Sequence, residues 1–291
     1  MVGGLSTRQP AARRPPAHRK VDEPDAEVVS KRASAPHAEH APRRYAMPYE
    51  INGPRVRLGI LWFGVAAVAI VLGPLPTAVV YGGAAALAAM QVARVWRRRR
   101  MRPNQIVAAA MAGGIALGAC LGAGGAGAAV LAATAAALAV SVTDATSRQP
   151  IVTDAGWTIQ CALPVGLAAT SMVLLTRLDQ GSAIALLLLV SAYDTGDYLV
   201  GSGARNRFEG PLAGIAAIAV VTFMVSTFGI AAFGVGHSWL FGALVAMLAP
   251  LGQLFASAVL PAAAAPASGL RRLDSLLLAG PVWYLGVAAV T

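Results

Sequence analysis

The sequence predicts an all-α, polytopic integral membrane protein with about nine transmembrane helices. Hydrophobic residues make up 57% of the 291 positions and charged residues only 12%, and the mean hydropathy is +0.63. A soluble domain carries about 25% charged residues, and they form the polar shell that this chain lacks. The basic residues also fall between the apolar segments, where they would set the orientation of the chain in a membrane. An ordinary soluble protein is therefore excluded.

Residues 1–54 differ in composition from the rest of the chain. They are rich in Pro, Ala, Arg and His, and they show no helical or alternating apolar period. Such a segment has too little apolar surface to offset the entropy cost of ordering it. We expect a disordered, basic cytosolic tail, followed by a transmembrane domain over residues 55–291. The tail is either a solvated determinant of topology or a segment that binds anionic lipid or a partner.

From residue 58 onward the chain parses into a series of apolar segments. A spanning helix needs about 20 such residues to cross about 30 Å of hydrocarbon. The short joins at 73–76 and 122–127 predict antiparallel helix hairpins. In chain order, the predicted spans are Leu58–Leu72, Thr77–Trp96, Gln105–Gly122, Gly127–Thr143, Trp157–Thr176, Ser182–Val200, Pro211–Phe233, Trp239–Leu260 and Ser275–Val290.

The arginines predict the orientation, because basic residues concentrate in cytosolic loops. Arg177 is the one basic residue in the loops that this scheme places outside. We expect a cytosolic N-terminus, an outer C-terminus and a multi-pass protein of the cell (inner) membrane. Arginine runs also occur in nucleic-acid-binding proteins, but the flanking apolar segments favour anionic lipid, so no nucleic-acid partner is expected. The predicted cytosolic set is Arg55, Arg57, Arg97–Arg100, Arg102, Arg148, Arg205, Arg207, Arg271 and Arg272.

Polar residues gather near the predicted cytosolic ends of the spans. Asp194 and Asp197 lie three positions apart on one face of the sixth span, and the segment 271–274 carries two arginines and an aspartate. Carboxylates can hold a divalent metal that bridges phosphates, and arginines can bind phosphate oxygens in a bidentate fashion. The pattern predicts a pocket for a phosphorylated molecule. The alternative is that the charges only mark helix ends, which we favour for Asp144, Arg148, Asp154 and Arg205.

Two motifs carry a resemblance to a known family. The segment Asp194-Thr195-Gly196-Asp197-Tyr198-Leu199-Val200-Gly201, followed by Arg207-Phe208-Glu209-Gly210, is one of them. The other is Arg271-Arg272-Leu273-Asp274-Ser275-Leu276, followed by Pro281-Val282-Trp283-Tyr284-Leu285. These segments resemble the phosphatidate cytidylyltransferase (CDP-diacylglycerol synthase) family. The resemblance implies a fold of nine spans with a cytosolic active site. The implied reaction converts CTP and phosphatidate to CDP-diacylglycerol and pyrophosphate.

The resemblance also implies roles for individual residues. Phosphatidate or another anionic phospholipid, CTP and a second copy of the chain in a homodimer are the partners that we expect, with Mg²⁺ as the family's cofactor. The implied catalytic residues are Asp194, Asp274 and Arg272. Tyr198, Arg207, Glu209, Ser257 and Arg271 are the implied substrate-binding residues. The implied metal ligands are Asp194, Asp197 and Asp274.

The chain departs from the family pattern at the chemical positions. Gln253 and Arg271 replace aspartates, Ala256 replaces a glutamate, and Leu260-Pro261 replaces a Lys-Arg pair. A guanidinium about 5 Å from a divalent cation is repelled by roughly 6–7 kcal/mol at an effective dielectric of about 20, which counts against Mg²⁺ here. One hypothesis is an active enzyme in which Arg271 supplies the charge of a metal. A second is a degenerate pseudoenzyme that binds lipid or acts as a scaffold, and a transporter is the third.

Overall fold

The computed structural model describes residues 55–143, 150–204, 206, 208–230, 235–262 and 265–290, and this part of the chain is built from helices without a strand. The predicted tail over residues 1–54 lies outside the described residues. The α-helices are α1 Arg55–Leu72, α2 Pro74–Arg97, α3 Gln105–Gly118, α4 Ala123–Thr143, α5 Ile151–Leu178, α6 Gln180–Gly201, α7 Glu209–Phe228, α8 Val235–Val259 and α9 Leu276–Val290.

Each predicted span overlaps one of these helices, and the expected all-helical membrane architecture is confirmed at that level. Within the described ranges, six helices are long and apolar enough to cross a membrane, namely α2 and α4–α8. The helices α1, α3 and α9 are apolar but shorter. The number of crossings and the orientation stay predictions.

One end of the helix bundle is held together by tight turns and polar contacts. Gly73 joins α1 to α2 with a φ of 113°, a backbone angle that favours glycine, and its carbonyl accepts a hydrogen bond from Thr77 Oγ1 at 2.9 Å. The guanidinium of Arg177 on α5 donates to the carbonyl of Cys120. Gln180 Nε2 donates to the carbonyl of Ile70 at 3.3 Å. The α1–α2 turn, the end of α3 and the α5–α6 join therefore lie together.

At the other end of the bundle, α2 finishes beside the loop between α8 and α9. Trp96 Nε1 donates to the carbonyl of Val259 at 2.8 Å, and its ring lies 4.5 Å from the ring of Trp157 on α5. Gln91 Oε1 accepts the backbone N–H of Gly269 at 2.8 Å. These contacts bring the arginines at the end of α2 and those of the segment 271–272 to the same end.

The helix α5 forms the centre of the bundle, with 72% of its most apolar stretch buried, whereas the corresponding figure for α4 is 11%. It packs against α2, α3 and α9. The helices α6 and α7 approach through two glycines, because a Cβ at Gly196 would lie 2.8 Å from the carbonyl oxygen of Ala213. A Cβ at Gly214 would likewise lie 2.6 Å from the ring of Tyr193. This contact fixes the polar end of α6 against its neighbours.

Candidate functional site

A cluster of polar side chains forms where α6, α8 and the segment 270–275 meet, and we call it the polar cluster. From α6 come Tyr193, Asp194 and Asp197, of which Asp197 is buried with 6% of its surface exposed. Asp194 and Asp197 lie on one face, because three positions are close to one helical turn. The sequence predicted one shared face for the two carboxylates, and in the structure that face is turned toward Ser275 and Gln253.

The first link of the cluster joins two parts of the chain that are 81 residues apart. Ser275 Oγ donates a short hydrogen bond to Asp194 Oδ1. The backbone N–H of Ser275 donates to Asp274 Oδ1 at 2.9 Å, so this serine holds two carboxylates at once. Ser275 and Asp274 are both buried. The two motifs that carried the family resemblance thus meet in space.

Arg271 is the second link. Its Nη1 lies 3.7 Å from Asp274 Oδ2 in an ion pair, and the same nitrogen donates to Ser257 Oγ at 3.3 Å. Ser257 in turn donates to the carbonyl of Gln253 on α8 at 3.0 Å. The side chain of Arg271 is 24% exposed and that of Asp274 is 9% exposed, so water screens the pair only in part.

Gln253 is the third link. Its Nε2 donates to Asp197 Oδ2 at 3.4 Å, and its Oε1 accepts from the hydroxyl of Tyr193 at the same distance. An aspartate at position 253 would lack the N–H donor and would place a like charge beside Asp197. The amide therefore stabilises Asp197 in a way that the family's carboxylate could not.

A glycine on α8 allows the segment 270–275 to come this close. A Cβ at Gly252 would overlap the carbonyl oxygen of Asp274 and would lie 3.3 Å from that of Ser275. The backbone of the segment packs directly on the helix at this point. Residue 252 is thus a glycine for reasons of packing, and it sets the position of Asp274.

The three carboxylates of the cluster interact with one another and with the guanidinium groups of Arg271 and Arg272. The Asp194 carboxylate interacts electrostatically with Asp274, Asp197 and Arg272. Burial raises the pKa of Asp274 to about 6, and the Arg271 guanidinium opposes that rise. Burial also lowers the pKa of Arg271, and the Asp274 charge opposes this change. Arg272 lies on the side facing α1, where its Nη1 would be 3.8 Å from a Cβ at Gly59.

Three further residues implied by the resemblance lie outside these links. Tyr198 is half-buried, one turn beyond Asp194 on α6. Glu209 is exposed at the start of α7, where its carboxylate accepts the backbone N–H of Asn206 at 3.2 Å, as expected of a helix start. Arg207 lies outside the described residues. Sequence reasoning missed the linking roles of Tyr193, which immediately precedes the first quoted motif, and of Ser275, which lies inside the second.

The arrangement of donors does not fit a divalent metal ion. Each of the three carboxylates already accepts from a donor of the chain, namely the Ser275 hydroxyl, the Gln253 amide or the Arg271 guanidinium. Within the described ranges, no three His, Cys, Asp or Glu side chains lie together so that they could hold a metal. Mg²⁺ stays a prediction, and the guanidinium beside Asp274 counts against it.

Comparison with known proteins adds one match. Residues 54–260 match the sequence profile of the Cytidylyltransferase family. The matched range contains α1–α8 and therefore Asp194, Asp197 and Gln253, and it ends before the segment 270–275. No curated protein matches the chain at a significant level.

Proposed function

The chain belongs to the phosphatidate cytidylyltransferase family, and from that membership we propose that it transfers the cytidylyl group of CTP to phosphatidate at the polar cluster. The products would be CDP-diacylglycerol, which remains in the membrane, and pyrophosphate. We further propose a multi-pass protein of the cell membrane whose polar cluster faces the cytosol. The arginines at that end of the bundle support this orientation.

The proposed reaction is a single displacement. A phosphate oxygen of phosphatidate attacks the α-phosphorus of CTP, and a new P–O bond forms. The bond from the α-phosphorus to the bridging oxygen breaks, and pyrophosphate leaves with the electron pair. Negative charge spreads over the phosphate oxygens, where fixed cations stabilise the transition state. Arg271 and Arg272 are the cations that we assign to this task, because guanidinium groups bind phosphate oxygens in a bidentate fashion.

The observation that carries the proposal is the meeting of the two motifs through Ser275, Asp194 and Asp274. This contact brings two guanidinium groups to the same end of the bundle as the Asp194 motif of α6. The Arg271 guanidinium lies where the resemblance places a carboxylate ligand of a metal. We propose that its fixed charge replaces a divalent ion, so that the substrates bind and react without Mg²⁺.

A second candidate is a degenerate member of the family that binds phosphatidate or another anionic phospholipid but transfers nothing. The hydrogen bond from Gln253 to Asp197 and the ion pair of Arg271 with Asp274 favour it, because these contacts satisfy the carboxylates internally. A cluster that is already satisfied has less need of a ligand to stabilise it.

Pyrophosphate release tests the two candidates against each other. The purified protein would be incubated with CTP and phosphatidate in mixed micelles, with Mg²⁺ in one arm and EDTA in the other. Transfer predicts release above a blank without phosphatidate in both arms. The degenerate candidate predicts release in neither arm, together with retained binding of phosphatidate. Release only with Mg²⁺ would refute the assignment of Arg271 as the replacement for a metal.

A further inference from the structure

An open apolar groove runs along the outer side of α1 and continues onto α2, away from the polar cluster. Its volume is about 550 Å³, which is in the range of small-molecule sites. The side chains that line it are all apolar. They are Ile60, Leu61, Gly64, Val65, Val68, Ala69, Leu72, Pro76 and Val80.

The groove lies on the face of α1 opposite to the one that meets the protein core. Ala66 and Ile70 on the core face are fully buried, whereas Val65 and Val68 on the groove face are 42% and 58% exposed. Gly64 forms part of the groove surface, and nothing lies within 4 Å of a Cβ built there. A side chain at position 64 would therefore begin in open space and project into the groove.

Two arginines follow the lining residues on the same helix faces, toward the end of the bundle opposite the Gly73 turn. Arg57 precedes Gly64 by seven positions, which is two helical turns, and Arg94 follows Pro76 by eighteen positions, which is five turns. Both arginines are exposed. The guanidinium of Arg94 also lies 3.6 Å from the sulfur of Met90 on its own helix. The lining of the groove is thus apolar, and basic residues follow it on the same faces of both helices.

We propose that this groove binds one acyl chain of an anionic phospholipid, with the lipid phosphate at Arg57 and Arg94. From Ile60 to Leu72 the groove extends for about 18 Å, close to the roughly 15 Å of one leaflet of the hydrocarbon core. Basic groups between transmembrane helices at the membrane surface attract anionic headgroups. A neutral lipid would fill the groove equally well but would gain nothing at the arginines.

This site is separate from the polar cluster. Arg272 approaches α1 beside Gly59, which lies on the core face of that helix, and the groove residues lie on the other face. The inference goes beyond the proposed function, because the groove holds a lipid that need not react. Its test therefore uses neither CTP nor phosphatidate.

Binding of two lipids with identical acyl chains tests the charge at the groove. The detergent-purified protein would be titrated with phosphatidylglycerol or phosphatidylcholine, and native mass spectrometry would give the bound fraction of each. We expect phosphatidylglycerol to bind more tightly, and we expect Arg57→Gln to weaken its binding about fivefold while that of phosphatidylcholine is unchanged. Arg177→Gln removes the same charge from an exposed arginine at the opposite end of the bundle and serves as the matched control. Equal effects of the two variants would overturn the proposal.

The apolar part of the groove has its own test. Gly64→Leu should lower the binding of both lipids, because the added side chain occupies the groove. Gly127 on α4 is also exposed with open space at its Cβ, so Gly127→Leu is the matched control and should leave binding unchanged. If the two leucine variants bind lipid alike, the groove is not the site. The Arg57 comparison stands even if Gly64→Leu does not fold.

Discussion

Replacing Arg271 by glutamine tests the ion pair at the centre of the polar cluster. The substitution removes the charge but leaves an N–H donor that can reach Ser257. At 3.7 Å and an effective dielectric of about 20, the attraction between the guanidinium and the Asp274 carboxylate is about 4–5 kcal/mol. Because Arg271 is 24% exposed, solvent screening reduces the net loss in unfolding free energy to about 2–3 kcal/mol.

The loss in unfolding free energy caused by Arg271→Gln should depend on pH. The pKa of Asp274 in the folded protein is about 6, above its usual value of about 3.9, so the folded state binds this proton more tightly than the unfolded state. The stabilisation from protonating Asp274 is therefore fully present below pH 4 and is lost as the pH rises through 6. Without Arg271 the folded-state pKa rises further. At pH 8 the buried Asp274 carboxylate is charged without its ion-pair partner and lowers the free energy of unfolding. At pH 5 the group is protonated and carries no charge.

Thermal unfolding of the detergent-purified protein at pH 5 and pH 8 measures the effect. At pH 8 we expect Arg271→Gln to lower Tm by about 4–12 °C relative to the unchanged chain, at about 2–4 °C per kcal/mol. At pH 5 the shift should be less than half as large. Arg99→Gln, in the exposed turn that follows α2, is the control and should have no effect at either pH. Equal shifts of Arg271→Gln at both values of pH would refute the argument.

Three further predictions concern the same cluster. Gly252→Ala should lower both Tm and pyrophosphate release, because the new methyl overlaps a backbone carbonyl, whereas Gly83→Ala, in open space, should change neither. Asp194→Asn should reduce pyrophosphate release at least about tenfold with little change in Tm, because an amide still accepts a hydrogen bond but carries no charge. The double substitution Gln253→Asp with Arg271→Asp should create a Mn²⁺ site that electron paramagnetic resonance detects, and the unchanged chain should bind none.

The helices could be predicted from the sequence because apolar length alone identifies them, but their starts could not. The fifth predicted span begins at Trp157, whereas α5 begins at Ile151. Its first turn contains Asp154, a residue that an apolar criterion excludes but that a helix N-terminus favours. Pro150 also precedes the helix at its N-cap position.

The site was predictable only in part. The residue types at positions 194, 271 and 274 carried the resemblance; the match over residues 54–260 confirms the family, but it ends before positions 271 and 274. The links between them are tertiary contacts that no local pattern contains. The glutamine at position 253, where the family has an aspartate, predicted the loss of a carboxylate. It did not predict that the Gln253 amide would donate to Asp197. Glu209 belonged to the motif by sequence, yet in the structure its carboxylate accepts the backbone N–H of Asn206 at the start of α7.

The most direct test of the account is pyrophosphate release from CTP and phosphatidate in EDTA, with an intact family enzyme measured beside it. The account predicts release by this chain in EDTA at the rate seen with Mg²⁺, and loss of release in Arg271→Gln at pH 8. The intact enzyme should stop in EDTA. No release by folded protein in either condition would contradict transfer and leave a lipid-binding, degenerate member of the family.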